Sequence, residues 1–106
     1  MSRITTHVLD TAAGRPAVGV SVALSNAEGT AIATGSTDAD GRVSALGPDA
    51  LPAGRYRLVF DTGTWFGDTP NFYPLVTIDF WLTDPAAHYH VPLLLSPFAY
   101  STYRGS

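Results

Sequence analysis

Cysteine is absent from this 106-residue sequence, which excludes disulfide bonds, thiolate nucleophiles and cysteine-based metal sites. Charged residues are also scarce, at 14% against roughly 25% in an average protein. No apolar run approaches the ~20 residues of a membrane-spanning helix, and the first residues lack the apolar segment of a signal peptide. We therefore expect a protein without membrane contact, most simply cytoplasmic, or periplasmic if a signal peptide has been removed.

The charge and the length limit the function further. A net charge of −3 with six basic residues provides no basic footprint for nucleic acid. The length fits a single domain over residues 1–106, since about 100–150 residues is the commonest domain size. A weakly charged surface favours self-association, because charged residues are depleted in the buried centres of interfaces. Composition therefore predicts one self-associating domain that does not bind nucleic acid.

Short runs of alternating apolar and polar residues recur along the chain, with turn residues between them. This pattern is typical of a β-sandwich or barrel, and no stretch has the sustained 3.6-residue period of a long helix. Strands are predicted at 4–10, 18–25, 30–37, 43–46, 55–62, 75–83, 88–95 and 98–104. One short helical turn is predicted within 62–68. The expected fold is an all-β, eight-stranded antiparallel β-sandwich of two four-stranded sheets.

Two histidines fall on strand faces that point away from the predicted core. His7 is out of phase with Ile4, and His90 is out of phase with Tyr89 and Val91. A solvated surface residue is the simplest interpretation of either histidine alone. Two of them, in a chain with three histidines and few charges, favour a cleft or an interface, where imidazole can titrate near neutral pH.

Other polar residues have plain structural explanations when each is taken alone. Arg42 follows a tight turn and could be a simple hairpin charge. Asp38 and Asp40 form that turn rather than a calcium loop, because the later ligands of an EF-hand are missing. His88 and His90 share a strand face, as zinc ligands sometimes do, but no third ligand is evident.

The C-terminal segment is not the polar tail with which most chains end. Residues 90–106 read HVPLLLSPFAYSTYRGS, two strand-like apolar runs followed by an aromatic residue, a cation, a glycine and a hydroxyl. Tyr103 and Arg104 could belong to the edge of a terminal strand. Alternatively, the end of the chain is docked into a site.

This segment resembles the signature of the 5-hydroxyisourate hydrolases, the transthyretin-related enzymes of purine degradation. The segment Thr5–Thr11, and the short segments 14–17, 37–42, 54–56 and 72–74, are similar to the same family, so the resemblance covers essentially the whole chain. It implies a sandwich with one short helix, a homotetramer (a dimer of dimers) with active sites in its central channel, and no metal or organic cofactor. The terminal YRGS resembles the enzymes rather than the hormone-carrier branch of the fold, which lacks this tail.

The resemblance places the catalytic residues of the family on His7, Arg42, His90 and Ser106. It implies that water opens the six-membered ring of 5-hydroxyisourate to give 2-oxo-4-hydroxy-4-carboxy-5-ureidoimidazoline. We expect His7 and His90 to position and deprotonate the water, without a firm ranking between them. Arg42 would hold the edge of the ring and stabilise the developing negative charge. Ser106 would orient a histidine or the water through its hydroxyl or the terminal carboxylate.

Tyr103 and Arg104 in the tail are expected to bind the substrate, together with His7 and Arg42. Tyr103 would pack against its flat ring beside Arg104, and Gly105 would give the tail the freedom to curl into the site. Two other function classes stay open. A transthyretin-like carrier would hold a small aromatic ligand without turning it over, and an immunoglobulin-like adhesion domain would be a monomer without a channel.

Overall fold

The computed structural model describes residues 4–106. Its elements in this range are β1 (Ile4–Asp10), β2 (Arg15–Pro16), β3 (Ser21–Asn26), β4 (Ala31–Ser36), β5 (Arg42–Val43), β6 (Gly54–Phe60), α1 (Thr62–Phe66), β7 (Val76–Leu82), β8 (Tyr89–Ser96) and β9 (Ala99–Thr102). In these residues, no helix has both the length and the apolar character needed to cross a membrane.

The strands form two sheets. In the first sheet the order is β2-β1-β8-β9, and β5 also pairs with β1; in the second sheet it is β4-β3-β6-β7. The predicted all-β sandwich with one short helix is confirmed. The arrangement of the sheets differs from the expectation in two details: the two-residue strand β2 brings the first sheet to five strands, and β1 runs parallel to β8. The strand predicted at 43–46 is also shorter and earlier than expected, since β5 covers only Arg42–Val43. Almost the whole chain separates β1 from β8, so no hairpin forces them to run antiparallel.

One core lies between the sheets, and it is supplied mainly by alternate residues of β1, β3, β6, β7 and β8. Tyr56, Leu58 and Phe60 point inward from β6, as their spacing predicts, and Tyr89 and Val91 do so from β8. Burying a side chain such as leucine or phenylalanine contributes roughly 1.5–3 kcal/mol. This burial fixes which residues of each strand face outward.

The second predicted strand begins later than the sequence pattern indicates. Alternation within this predicted strand places Val18 on the same face as Val20 and Val22, which are buried, but Val18 is 53% exposed, so the prediction is wrong at this end of the strand. Gly19 has a φ of 86°, a conformation that glycine adopts without steric cost. The chain therefore changes direction at Gly19, and β3 starts at Ser21.

Candidate active site

The outer face of the first sheet brings together residues that are distant in sequence. In the parallel β1–β8 pair, Thr5 lies beside His90 and His7 lies beside Pro92. On the other side of β1, strand β5 places Arg42 beside His7. Neighbouring strands lie only about 4.7–4.9 Å apart. His7, Arg42 and His90 therefore share one patch, and the outward orientation that alternation predicts for the two histidines is confirmed.

A cavity of about 260 Å³ opens on this face. Three of the predicted catalytic residues line it: Arg42, His90 and Ser106. The rest of its lining is Thr5, Thr6, Val43, Ser44 and His88. The volume lies slightly below the roughly 300–1,000 Å³ of typical ligand pockets and suits a small molecule.

His7 lies next to Arg42 in the sheet but does not line the cavity. Its Nε2 atom lies 2.8 Å from the carbonyl oxygen of Asp40. Because a carbonyl oxygen only accepts hydrogen bonds, Nε2 must carry a proton and donate it. In the neutral imidazole, Nδ1 is then the nitrogen that can accept a proton.

His90 is partly buried, and its Nδ1 atom lies 2.8 Å from the hydroxyl oxygen of Thr5. Its Nε2 atom has no hydrogen-bond partner within residues 4–106. Burial lowers the pKa of His90 below its ordinary value, and the positive charge of Arg42 and the nearby His7 lower it further. His90 is therefore a neutral imidazole at pH 7.

A tight turn delivers Arg42 to the site. Oδ1 of Asp38 accepts hydrogen bonds from the backbone N–H groups of Asp40, at 2.9 Å, and Arg42, at 3.0 Å, and these bonds hold the pKa of Asp38 below its usual value. Gly41 has a φ of 76°, and a Cβ there would lie 2.5 Å from the carbonyl oxygen of Val8. Only glycine fits this turn. The guanidinium of Arg42 has no carboxylate within ion-pair distance in the described part of the chain, so its donors stay available.

The end of the chain docks onto β8. The N–H of Gly105 donates to the carbonyl oxygen of His90 at 2.8 Å. A Cβ on Gly105 would lie 2.7 Å from Cδ2 of His90 and 3.2 Å from Cγ of Pro92. Gly105 does not have a positive φ, so its value is close approach to the imidazole rather than backbone freedom. The docking leaves Ser106 at the cavity.

Tyr103 and Arg104 lie elsewhere. With Trp81 and Tyr89, among others, they line a different groove of about 320 Å³. Cζ of Arg104 lies 4.4 Å from the centroid of the Tyr89 ring, and Tyr89 faces the side of β8 opposite to His90. Within one chain, these two predicted substrate-binding residues are not brought to the cavity.

The sequence provides no indication of one residue of the site, and it suggests another, His88, only as a zinc ligand. The missed residue is Thr5, whose hydroxyl contacts both His88 and His90. The alternation of β1 places Thr5 outward, but a threonine carries no sequence signal for a partner at the other end of the chain.

Within residues 4–106, no group of three or more His, Cys, Asp or Glu side chains could hold a metal ion.

Comparison with known proteins shows which family the chain is similar to. The profile of the HIUase/Transthyretin family matches residues 4–105. The 5-hydroxyisourate hydrolase 2 of Rhizobium meliloti is 49% identical, covering 98% of this chain and 96% of its own length. The structure of Klebsiella pneumoniae 5-hydroxyisourate hydrolase superposes with a TM-score of 0.90 at 42% identity, over 100% of this chain and 94% of that chain.

The carrier branch of the fold is also similar. The crystal structure of transthyretin from Sparus aurata gives a TM-score of 0.89 at 37% identity, over 99% of this chain and 97% of that chain. The resemblance inferred from the sequence is thus confirmed, and the chain belongs to the HIUase/Transthyretin family.

Proposed function

We propose that this chain is a hydrolase that opens the ring of 5-hydroxyisourate to give 2-oxo-4-hydroxy-4-carboxy-5-ureidoimidazoline. The observation that carries the proposal is the convergence of Arg42, His90 and Ser106 on one cavity, directly beside His7. The similar proteins from R. meliloti and K. pneumoniae are both named 5-hydroxyisourate hydrolases. A carrier needs no such set of polar groups around its ligand.

Hydrolysis requires a group that takes a proton from the attacking water. His7 and His90 are the candidates, since imidazole titrates near neutral pH and a well-placed general base accelerates a reaction by roughly 10²–10⁴-fold. His7 presents Nδ1 as an acceptor because its Nε2 atom is held by the carbonyl oxygen of Asp40. His90 lines the cavity itself. The two imidazoles together position and deprotonate the water.

Negative charge develops on the carbonyl oxygen when water adds to the ring. Arg42 is suited to stabilise it, because its guanidinium is a planar set of donors that stays charged at any working pH and has no carboxylate partner in residues 4–106. Donors preorganised for such an oxyanion are usually among the largest contributions to catalysis. Ser106 adds a hydroxyl at the same cavity.

The active assembly is a homotetramer, a dimer of dimers. Large apolar side chains that are unusually exposed support association: Trp81 is 67% exposed and Tyr103 is 58% exposed. Because Tyr103 and Arg104 line a groove away from the cavity of their own chain, they bind substrate in the site of a neighbouring subunit. Residues 1–106 act as one domain in the cytoplasm, without nucleic acid and without a metal or organic cofactor.

The decisive assay generates 5-hydroxyisourate in place, by adding urate oxidase to urate, and follows its ultraviolet decay. Adding the protein should accelerate the decay in proportion to its concentration, and heat-denatured protein should not. Unchanged decay, with saturable binding of the compound by calorimetry, would favour the carrier suggested by the similarity to transthyretin. Sedimentation of the same sample tests the tetramer.

A further inference from the structure

Two polar side chains near His90, those of Thr5 and His88, have no role in the mechanism above. Oγ1 of Thr5 lies 2.8 Å from Nδ1 of His90 and 3.0 Å from Nε2 of His88. Thr5 is only 8% exposed, whereas His88 is open to solvent. The two imidazole rings lie 6.4 Å apart and nearly parallel, at 25°. One buried hydroxyl therefore joins two imidazoles on the outer face of the first sheet.

The number of protons available to Thr5, His88 and His90 restricts which of them can donate a hydrogen bond to which. A threonine hydroxyl has one proton to donate and two lone pairs that accept, so Thr5 can donate to only one of the two rings. The other ring must donate to Thr5. The tautomers of His88 and His90 and the orientation of the hydroxyl are therefore coupled.

Both imidazole rings favour the same direction for the hydrogen bonds that run from His88 through Thr5 to His90. A protonated His88 carries a proton on Nε2 and can only donate to Thr5. A neutral imidazole side chain in water also prefers its proton on Nε2, which again makes His88 the donor. Thr5 then donates to Nδ1 of His90, and His90 keeps its own proton on Nε2, its preferred form. The opposite direction requires the less stable tautomer in both rings.

We propose that Thr5 and His88 are positioning residues that hold His90 as a hydrogen-bond donor, with its proton on Nε2. This inference rests on the proposed hydrolysis and assigns a different role in it to each of the two histidines. His90 donates from Nε2 to the oxygen on which negative charge develops, together with Arg42. His7, whose Nδ1 is left as an acceptor by the Asp40 carbonyl, takes the proton from water.

The charges around His90 agree with its role as a neutral donor. The groups that face His90 are His7 on β1, Arg42 on β5, His88 beside β8, and Ser106 in the docked tail. Most of them are cationic or become cationic on protonation, and that disfavours a second proton on His90. The neutral ring is the form that accepts from Thr5 at Nδ1 and donates from Nε2.

Nuclear magnetic resonance of the protein labelled with ¹⁵N-histidine tests the tautomers directly. The chain has three histidines, and variants that lack one each assign the three imidazoles. We expect His90 to carry its proton on Nε2 and to accept a hydrogen bond at Nδ1. In Thr5→Val the Nδ1 resonance should move toward that of an unbonded nitrogen, and the pKa of His90 should rise, because the bond that favours the neutral ring is lost. Thr5→Ser should keep the wild-type resonance.

The kinetic test uses the same variants. Thr5→Val should lower kcat roughly tenfold, the equivalent of one hydrogen bond, with little change in KM. It should also move the acidic limb of the pH profile to higher pH, since His90 must be neutral. Thr5→Ser should be near wild type, and His88→Leu should lose less than Thr5→Val because the hydroxyl remains. Thr77→Val, on the exposed face of β7, is the matched control and should change nothing.

Two results would overturn the inference. One is a wild-type His90 with its proton on Nδ1; the other is a folded Thr5→Val protein with wild-type kcat and an unmoved pKa of His90. If Thr5→Val does not fold, the tautomer of the wild-type protein still decides the question. A wild-type protein that fails to accelerate the decay of 5-hydroxyisourate would instead contradict the proposed function, and the resonance data would remain interpretable.

Discussion

The outer face of the first sheet and the groove beside β7 differ in character, although the same few C-terminal residues contribute to both. Gly105 and Ser106 lie with His90 on the outer face of the first sheet, which is the polar face of the two surfaces. Tyr103 and Arg104 lie in the groove, whose lining is mainly apolar. Within four consecutive residues the chain passes from one surface to the other. Alternation along β8, and the docking of the tail across it, separate a polar surface from a mainly apolar one.

The two surfaces also differ in how their polar groups are satisfied. On the polar face, Nε2 of His90 and the guanidinium of Arg42 have no protein partner in residues 4–106. In the groove, Arg104 packs on the Tyr89 ring, and the Tyr89 hydroxyl accepts hydrogen bonds from the backbone N–H groups of Thr83 and Asp84. Groups left unpaired in a cavity are available to a ligand, whereas paired groups hold the structure together.

The largest effect is expected from the loss of an imidazole from the polar face. His7→Ala or His90→Ala should each lower kcat/KM by at least ~10²-fold, the low end of what a general base or an oxyanion donor contributes. The coupled urate oxidase assay measures this loss. Trp81→Phe in the groove is the control and should keep nearly full activity in a protein of unchanged size. Near wild-type rates in both histidine variants would remove the polar face as the site of chemistry.

The next largest effect is expected at Gly105. Its backbone dihedrals admit other residues, but a methyl group would lie 2.7 Å from the His90 ring, closer than carbon atoms approach. Gly105→Ala should therefore displace the imidazole or the tail and lower kcat by about tenfold, while thermal unfolding stays near wild type.

Gly29→Ala is the control for this substitution. It introduces backbone strain, because Gly29 has a φ of 85°, but a Cβ there meets nothing within 4 Å. It should lower stability slightly and leave kcat unchanged. A fully active Gly105→Ala protein would mean that the docked tail does not position His90.

A smaller effect is expected on the groove side. Arg104→Ala removes the contact between the guanidinium and the Tyr89 ring, and cation–π contacts at exposed sites contribute about 0.5–1 kcal/mol. The free energy of unfolding, measured with urea, should fall by that amount. Arg15→Ala, at the exposed strand β2, should change it less. If Arg104 also contacts substrate across a subunit boundary, KM will rise while the kcat of the assembled enzyme stays close to wild type.

Most of the fold could be predicted from the sequence, because burial follows strand alternation and alternation is visible in the residues. The outward orientation of His7 and His90 follows from the same rule. The prediction failed at Val18, where the φ of Gly19 redirects the chain, and in the direction of β1 against β8, which depends on contacts between the two ends of the chain. The link between Thr5 and His88 depends on the same pairing, so no local pattern could reveal it.

The smallest predicted effect is the contribution of His90 to the pH dependence of the free energy of unfolding, as distinct from that of the exposed ionisable groups. Burial, followed by the charge of Arg42, lowers the pKa of His90 in the folded protein, so below pH ~6.5 the unfolded chain binds a proton there more readily than the folded chain does. The free energy of unfolding should therefore fall as the pH drops from about 6.5 to the folded pKa, and His90 adds nothing further below that. In His90→Gln this part of the dependence disappears, and the difference between the two urea-unfolding curves at pH 7.5 and pH 5.5 isolates it. A wild-type protein that gained stability from His90 on acidification would show that the imidazole is held as a cation, and the polar face would then have lost its neutral donor.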